Sequence, residues 1–480
     1  MVCAARRYWL TGRSVLPLAL AAALLLAGCG GSAAPAAGTS QSGIQVVLGA
    51  SRSLTAPVNG TNLDYSGVAQ PFSAPGVVAA LTALRPGTLR YPGGTIANYW
   101  QWQTGTLVQP PQTMASGKSQ PGQTRQYGFT LQTLRSIVQE TGTTPIFDLN
   151  VLTSSLADQM AMLRAASTLG IPVRYIELGN EFYLSASSYT QVFPTATAYA
   201  DLVAQWAPQI HADFPDALIA AVGSLPQASQ RETSWNQTVL SIAGADISAL
   251  TLHDYAGIPG PGSTGTGAAL ASAYANWKHD QTVMAAIPPQ YSIWFTEYNV
   301  ANHARGQGSP PLGVTWLHGL YTAEMTMLYD QSPRVQLDDY WDLFSAPTSG
   351  TYTTGASPGL TAAGSALTVL SAASWQATSV RVLSFPGAPN LPGGAPGLAG
   401  LEFSGRTGTR AVLLNLTGQA LSVQAGAVIP GGATVESISG NPAAEVAGSS
   451  GLSRHVTKAG GVLSVPPYSL VAAGFSVPAG

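Results

Sequence analysis

Two glutamates raise the first chemical question. Glu181 closes Arg174-Tyr175-Ile176-Glu177-Leu178-Gly179-Asn180-Glu181, and Glu297 follows Tyr291-Ser292-Ile293-Trp294-Phe295-Thr296, so each comes directly after a short apolar run. If both runs are strands of one parallel barrel, both carboxyls lie on its C-terminal rim, where barrel enzymes collect their functional groups. A facing pair of carboxyls is what cleavage of a glycosidic bond requires: one protonates the leaving oxygen and the other deals with the anomeric carbon. A separation of roughly 5 to 5.5 Å lets the second attack directly, with retention of configuration, and that short separation is expected here. At this distance each charge opposes the other, so one carboxyl stays protonated near neutral pH. Either glutamate alone would serve equally well as a surface loop acid. As a pair at these two positions they point to catalysis.

Other polar groups cluster near the same run ends. Thr251, His253 and Tyr255 alternate along one run and share a strand face, which brings His253 and Tyr255 toward the mouth; a satisfied core histidine is the competing reading of His253. Glu177 shares the parity of Glu181 but lies deeper, as a buried structural acid. Asn150 ends the third run and Asn98 lies in the loop after the second; both suit sugar hydroxyls or, equally, loop capping. Tyr99, Trp100 and Trp102, and separately Trp341 after the last run, offer rings that can stack on the apolar face of a pyranose or simply pack their loops.

The elements that must position these groups alternate in a βα order. The expected strands are Gln45 to Leu48, Thr88 to Tyr91, Pro145 to Leu149, Arg174 to Leu178, Ala217 to Val222, Ile247 to His253, Tyr291 to Thr296 and Val335 to Tyr340. Helical spacing recurs over Ser154 to Leu169, Tyr199 to Phe214 and Val314 to Asp330. Eight repeats over roughly 330 residues give an α/β fold, a (β/α)8 TIM barrel spanning 43–374. Beyond it, short β-rich runs between Gly, Pro and Asn turns predict a C-terminal antiparallel β-sandwich domain over 375–480, to which the segment near Gly43 could lend a strand.

Composition narrows the partners. Only 9% of the 480 residues are charged and the formal net charge is −2, so no basic field invites nucleic acid. Arg6, Arg7 and Arg13 precede an apolar run from Val15 to Leu26, which ends in Leu26-Ala27-Gly28-Cys29. This resembles a bacterial lipobox, implying a signal peptide over 1–28, a lipid on Cys29, a flexible tether over 29–42, and an exported, membrane-anchored protein. With Cys3 in the removed segment and Cys29 lipidated, neither of the two cysteines is left for a disulfide or a zinc site. The six histidines show no metal-ligand spacing. No metal and no cofactor are expected, and the expected partner is an oligosaccharide, polysaccharide or glycoconjugate.

Asn180-Glu181 after the fourth strand, with Glu297 after the seventh, resembles the retaining glycosidases of clan A, the 4/7 barrels. The runs Leu89-Arg90-Tyr91-Pro92-Gly93-Gly94-Thr95, Phe147-Asp148-Leu149-Asn150 and Glu177-Leu178-Gly179-Asn180-Glu181 are most similar to glycoside hydrolase family 79, the heparanase and β-glucuronidase family. The Arg-Tyr-Pro-Gly-Gly run also resembles the α-L-arabinofuranosidases of family 51. The resemblance implies Glu181 as acid/base, Glu297 as nucleophile, Asn180 as a donor to the sugar 2-hydroxyl and to the nucleophile's oxygen, and Tyr255 as a hydrogen-bond partner of the nucleophile. A uronate substrate needs cations at the strand ends, and only Arg90 and Arg305 are placed to supply them. A β-xylosidase and a non-catalytic carbohydrate-binding lipoprotein are the competing readings. A solute-binding protein would share the lipobox but gives no reason for the two glutamates.

Overall fold

The computed structural model describes residues 43–63, 75–107, 129–225, 229–259, 265–301, 310–344, 348–353, 359–406, 408–448 and 450–475. The leader, Cys29, the tether, His303 and Arg305 lie outside the described residues. Eight parallel strands close into a barrel: β1 (Gly60–Asn62), β2 (Thr88–Tyr91), β3 (Thr144–Asp148), β4 (Tyr175–Glu177), β5 (Leu218–Val222), β6 (Ala249–Ala256), β7 (Ser292–Val300) and β8 (Val335–Tyr340). Pairing of Asp339 with Gly60 and of Thr61 with Leu89 completes the ring.

The first strand corrects the sequence reading. Gln45 to Leu48 is not in the barrel, and its place is taken by three residues, Gly60-Thr61-Asn62, that are all buried yet contain no apolar side chain. Hydrophobic patterning cannot detect such a strand. Its glycine is required sterically, because a Cβ there would lie 2.1 Å from both Asp339 Oδ1 and Thr88 Oγ1.

The segment from Ile44 to Ser53 instead joins the C-terminal part of the chain. Val47–Ser53 is one edge of a seven-stranded antiparallel sheet, pairing with Ala377–Ser384, and Ile44–Gln45 runs parallel to Leu421–Gln424 in a three-stranded sheet. Leu383, Leu413 and Val471 of the larger sheet share a core with Val423 and Val465 of the smaller one, which makes the pair a sandwich. The alternate residues Val380, Val412, Leu414 and Leu470 face the other way, into the barrel's core. Helices Trp316–Asp330 and Ala362–Ser374, caught between barrel and sheet, are buried along their whole length. Both ends of the first helix are tied to the sandwich, through Trp316 N to Ala444 O of a loop at 3.1 Å and Arg52 of the edge strand to the Asp330 carbonyl.

Candidate active site

A single guanidinium organises the barrel mouth. Arg90, at the third position of β2, is completely buried, and its Nε donates to Glu177 Oε2 at 2.6 Å. Nη1 donates to Glu297 Oε1 at 2.7 Å and to Asn62 Oδ1 at 3.2 Å, while Nη2 donates to Asn180 Oδ1 at 2.8 Å and lies 3.0 Å from Asp148 Oδ2. Five strands or strand ends are thus fixed by one cation. A buried carboxylate is tolerable only when paired, so Glu177 and Asp148 hold Arg90 in place, and Arg90 presents Glu297.

The sequence reading put Glu297 just beyond its strand; in the structure it lies inside β7, which runs on to Val300. Thr296 and Glu297 are neighbours, yet both reach the lumen: Thr296 Oγ1 donates to Glu177 Oε1 at 3.3 Å, and Glu297 meets Arg90. Register shifts at Leu252/His253 and between Phe295 and Tyr298 mark the irregularity that breaks simple alternation. His253 is paired with Glu297 across that shift. Tyr255 donates to Glu297 Oε2 at 2.6 Å, so both oxygens of this carboxylate have donors.

Glu181 lies four residues past β4, with φ of 55°, in the left-handed region that a non-glycine residue rarely adopts. Its Oε1 accepts from Tyr183 Oη at 3.0 Å and lies 3.0 Å from His253 Nδ1. The same nitrogen is 3.5 Å from Glu297 Oε2, and His253 Nε2 is 3.2 Å from Thr296 Oγ1. His253 therefore sits between the two carboxyls rather than being a core histidine. One oxygen from each glutamate and a nitrogen of His253 fall within 4.8 Å of one another, in the short regime of direct nucleophilic attack. The same three groups could ligate a metal by distance alone, but Arg90 already supplies the positive charge against Glu297.

Burial and the nearby charge of Glu181 push the Glu297 carboxyl above its usual range, against the pull of His253, Arg90 and Tyr255. For Glu181 burial also acts upward, but the hydrogen bond and charge of His253, with Tyr183 and Arg90, prevail and hold it below the usual range. His253 is raised: burial would lower it, and the charge of Glu297 together with the bond and charge of Glu181 wins. Both shifts favour a charged His253–Glu181 pair across the 3.0 Å contact.

The remaining expected residues divide. Asn180 Nδ2 is buried without a partner among the described residues, so it does not donate to Glu297 as the resemblance implied, while its Oδ1 is held by Arg90. Asn98 is a brace instead of a sugar ligand: Oδ1 accepts from Asn180 N at 3.1 Å, and Nδ2 donates to Asn180 O and Tyr189 Oη. Asn150 caps its own loop, bonded to Thr153 and to Trp100 O, and does not reach the carboxyls. Tyr99 and Trp100 are buried packing groups, and Trp102 donates to Asp158. Trp341 stays partly exposed and lies against the β2 turn, where a Cβ on Gly94 would be 2.2 Å from its ring. Asn62 and Tyr183 escaped the sequence reading. Tyr183, two residues beyond Glu181, carried the one available signal.

Compared with family models and with curated protein sequences, the chain matches none. Solved structures do match. A GH51 arabinofuranosidase from Xanthomonas axonopodis pv. citri has a TM-score of 0.66 at 15% identity, covering 90% of this chain and 99% of that one. A 4-O-α-L-rhamnosyl-β-D-glucuronidase from Fusarium oxysporum gives 0.59 at 15%, with 90% and 99% covered. The catalytic domain of GH30 xylanase C from Talaromyces cellulolyticus gives 0.55 at 14%, with 89% and 99% covered. At this identity the likeness establishes a shared fold, that of barrel glycoside hydrolases carrying a β-sandwich. Families 51 and 30 are named among these structures; the expected resemblance to family 79 gains no support from them.

Proposed function

We propose that this protein is a retaining glycosidase acting on a neutral sugar, with Glu297 as nucleophile and Glu181 as acid/base. The observation that carries the reading is the approach of the two carboxyls within 4.8 Å, one held by Arg90 and Tyr255 and the other sharing a proton with His253. In the first step the proton crosses from His253 to Glu181 and on to the glycosidic oxygen. That C–O bond breaks as Glu297 bonds the anomeric carbon. In the second, Glu181 takes a proton from water, whose oxygen displaces Glu297 and returns its electron pair to the carboxylate. Asn180 Nδ2, the unpartnered donor, suits the sugar 2-hydroxyl, where a bond strengthens in the transition state. Trp341 supplies an open ring face beside it.

The substrate class follows from charge. Arg90, the one of the two candidate cations that lies within the described residues, is saturated by three carboxylates and two amide oxygens, so it has no donor left for a uronate. This favours an α-L-arabinofuranosidase or β-xylosidase over the β-glucuronidase suggested by the motifs. We also propose export and lipid attachment at Cys29, supported by the lipobox alone. Metabolic labelling with an alkyne fatty acid, lost in Cys29→Ser, tests it.

A panel of aryl α-L-arabinofuranoside, β-xyloside, β-glucoside and β-glucuronide substrates tests the activity. Cleavage of a pentoside, abolished in Glu297→Gln, is expected. A chain inert on all four would be a carbohydrate-binding protein, and a 2-fluoro glycoside label found away from Glu297 would overturn the nucleophile assignment.

A further inference from the structure

Away from the barrel mouth, a cavity of about 620 Å³ opens between helices Thr266–Ala285 and Trp316–Asp330 and the sandwich strands Ala377–Ser384 and Leu398–Gly405. We propose that it is a second binding site for neutral saccharide units, with Glu324 as the buried group that recognises a sugar hydroxyl.

Glu324 lines this cavity in the middle of a fully buried helix, 4% exposed, and its Oε2 has no hydrogen-bond partner among the described residues. A buried polar atom left unpaired is rare in native proteins and calls for a reason. Leu or Met would fill the position at no such cost, and the neighbouring helix positions hold Met325, Met327 and Leu328. Asp148, Glu177 and Glu297 at the barrel mouth are answered by Arg90; Glu324 Oε2 is answered by nothing among the described residues. Burial alone acts on it, pushing the carboxyl well above the usual range and so favouring the protonated acid. Such a group both donates and accepts, matching a hydroxyl, which does the same.

The rest of the lining has the same character. Gln281, Gln331 and Asn390 bring amides, Tyr274 and Trp277 bring rings, and no lysine or arginine contributes. Neutral amides, the buried acid and aromatic surface suit a polyhydroxylated neutral ligand; no cation lines the cavity itself, Lys278 Nζ being held 4.5 Å over the Tyr274 ring at its edge. The volume lies within the roughly 300–1,000 Å³ of small-molecule sites. None of these residues bonds to Glu181 or Glu297, so occupancy would hold a glycan chain on the protein independently of turnover. The choice of sugar as ligand rests on the glycosidase reading.

The test blocks the active site with the 2-fluoro glycoside and titrates the labelled protein calorimetrically with xylotriose and with arabinotriose. One further site per chain is expected, weakened roughly tenfold or more, about 1.4 kcal/mol, in Glu324→Leu and in Gln281→Ala. Glu324→Leu should melt at or above the wild-type temperature and cleave aryl glycosides at the wild-type rate, which separates lost binding from lost folding. Labelled wild type that binds neither trisaccharide, or Glu324→Leu that binds as wild type does, overturns the proposal. If no label forms, the catalytic reading has failed, and the same titration of unlabelled wild type against Glu324→Leu still decides on the second site.

Discussion

Arg231 gives the sharpest check on how the acid is held. From the short helix Gln230–Thr233 it reaches both limbs of the loop after Glu181, with Nε to Tyr183 O at 3.2 Å, Nη2 to Phe182 O at 2.7 Å and Phe193 O at 2.8 Å, and Nη1 to Pro194 O at 2.7 Å. Its guanidinium lies 4.9 Å over the Trp235 ring. Four carbonyls on two chain limbs need a planar fork; an ammonium, a point donor, can serve one limb. Arg231→Lys therefore gives up two or three bonds. Charge-assisted bonds are worth about 1.5–3 kcal/mol each when buried, but water reaches this partly exposed group, so the net loss of stability should be about 1–2 kcal/mol. The kinetic consequence is more specific. Glu181 already occupies a left-handed backbone conformation that its surroundings must enforce, and general acid catalysis contributes roughly 10²–10⁴-fold. Releasing the loop should forfeit about one power of ten of that for a methyl glycoside or oligosaccharide, whose leaving group needs a proton, and less than about threefold for a dinitrophenyl glycoside, which needs none. The assay is kcat/KM on both substrates, wild type against Arg231→Lys. Equal losses on both would refute the reasoning, as would no loss on either.

Two further outcomes follow from the charges. Tyr255→Phe removes a donor that favours ionised Glu297, so its carboxyl, already raised by burial, rises further; the acid limb of the kcat/KM profile should move to higher pH, and an unmoved limb would argue against the 2.6 Å bond. Buried Asp330, Asp339 and Asp280 are pushed up to about 7, about 8 and about 9, chiefly by desolvation. A folded pKa raised above the unfolded value of about 3.9 means the folded state holds the proton more tightly. The associated stability is complete below the unfolded pKa and is lost as pH rises through the folded values. The melting temperature should therefore fall from pH 5 to pH 9, and Asp339→Asn should flatten that fall; a flat wild-type profile would count against neutral acids in the core.

Much of this arrangement was legible in the chain, for identifiable reasons. Seven of the eight barrel strands announce themselves because their outward faces meet helices and read as apolar runs. The eighth, Gly60-Thr61-Asn62, is invisible because all three of its residues are small or polar. Glu181 and Glu297 could be placed because each follows an apolar run, and His253 and Tyr255 because alternation along a strand tells which side chains share a face, although a register shift at β6 and β7 changes which neighbours meet. For Asn98 and Asn150 two readings stood open because a buried asparagine that braces a loop and one that greets a ligand look alike until the partners of each atom are known. Arg90 stood in plain view, yet its fivefold engagement depends on residues far apart in sequence that only barrel closure brings together.

The strand Val47–Ser53 lies more than three hundred residues ahead of its partner Ala377–Ser384. During synthesis it must wait, with an unpaired edge, until the whole barrel has emerged. Contacts of such long separation are slow to form and leave the chain open to mispairing meanwhile. The sandwich works as a clasp: it fastens the segment ahead of the barrel to the one behind it and shuts helices Trp316–Asp330 and Ala362–Ser374 inside. Cutting the chain near residue 375 would not release a trimmed barrel. It would leave a bare strand at one end and two largely apolar helix faces at the other.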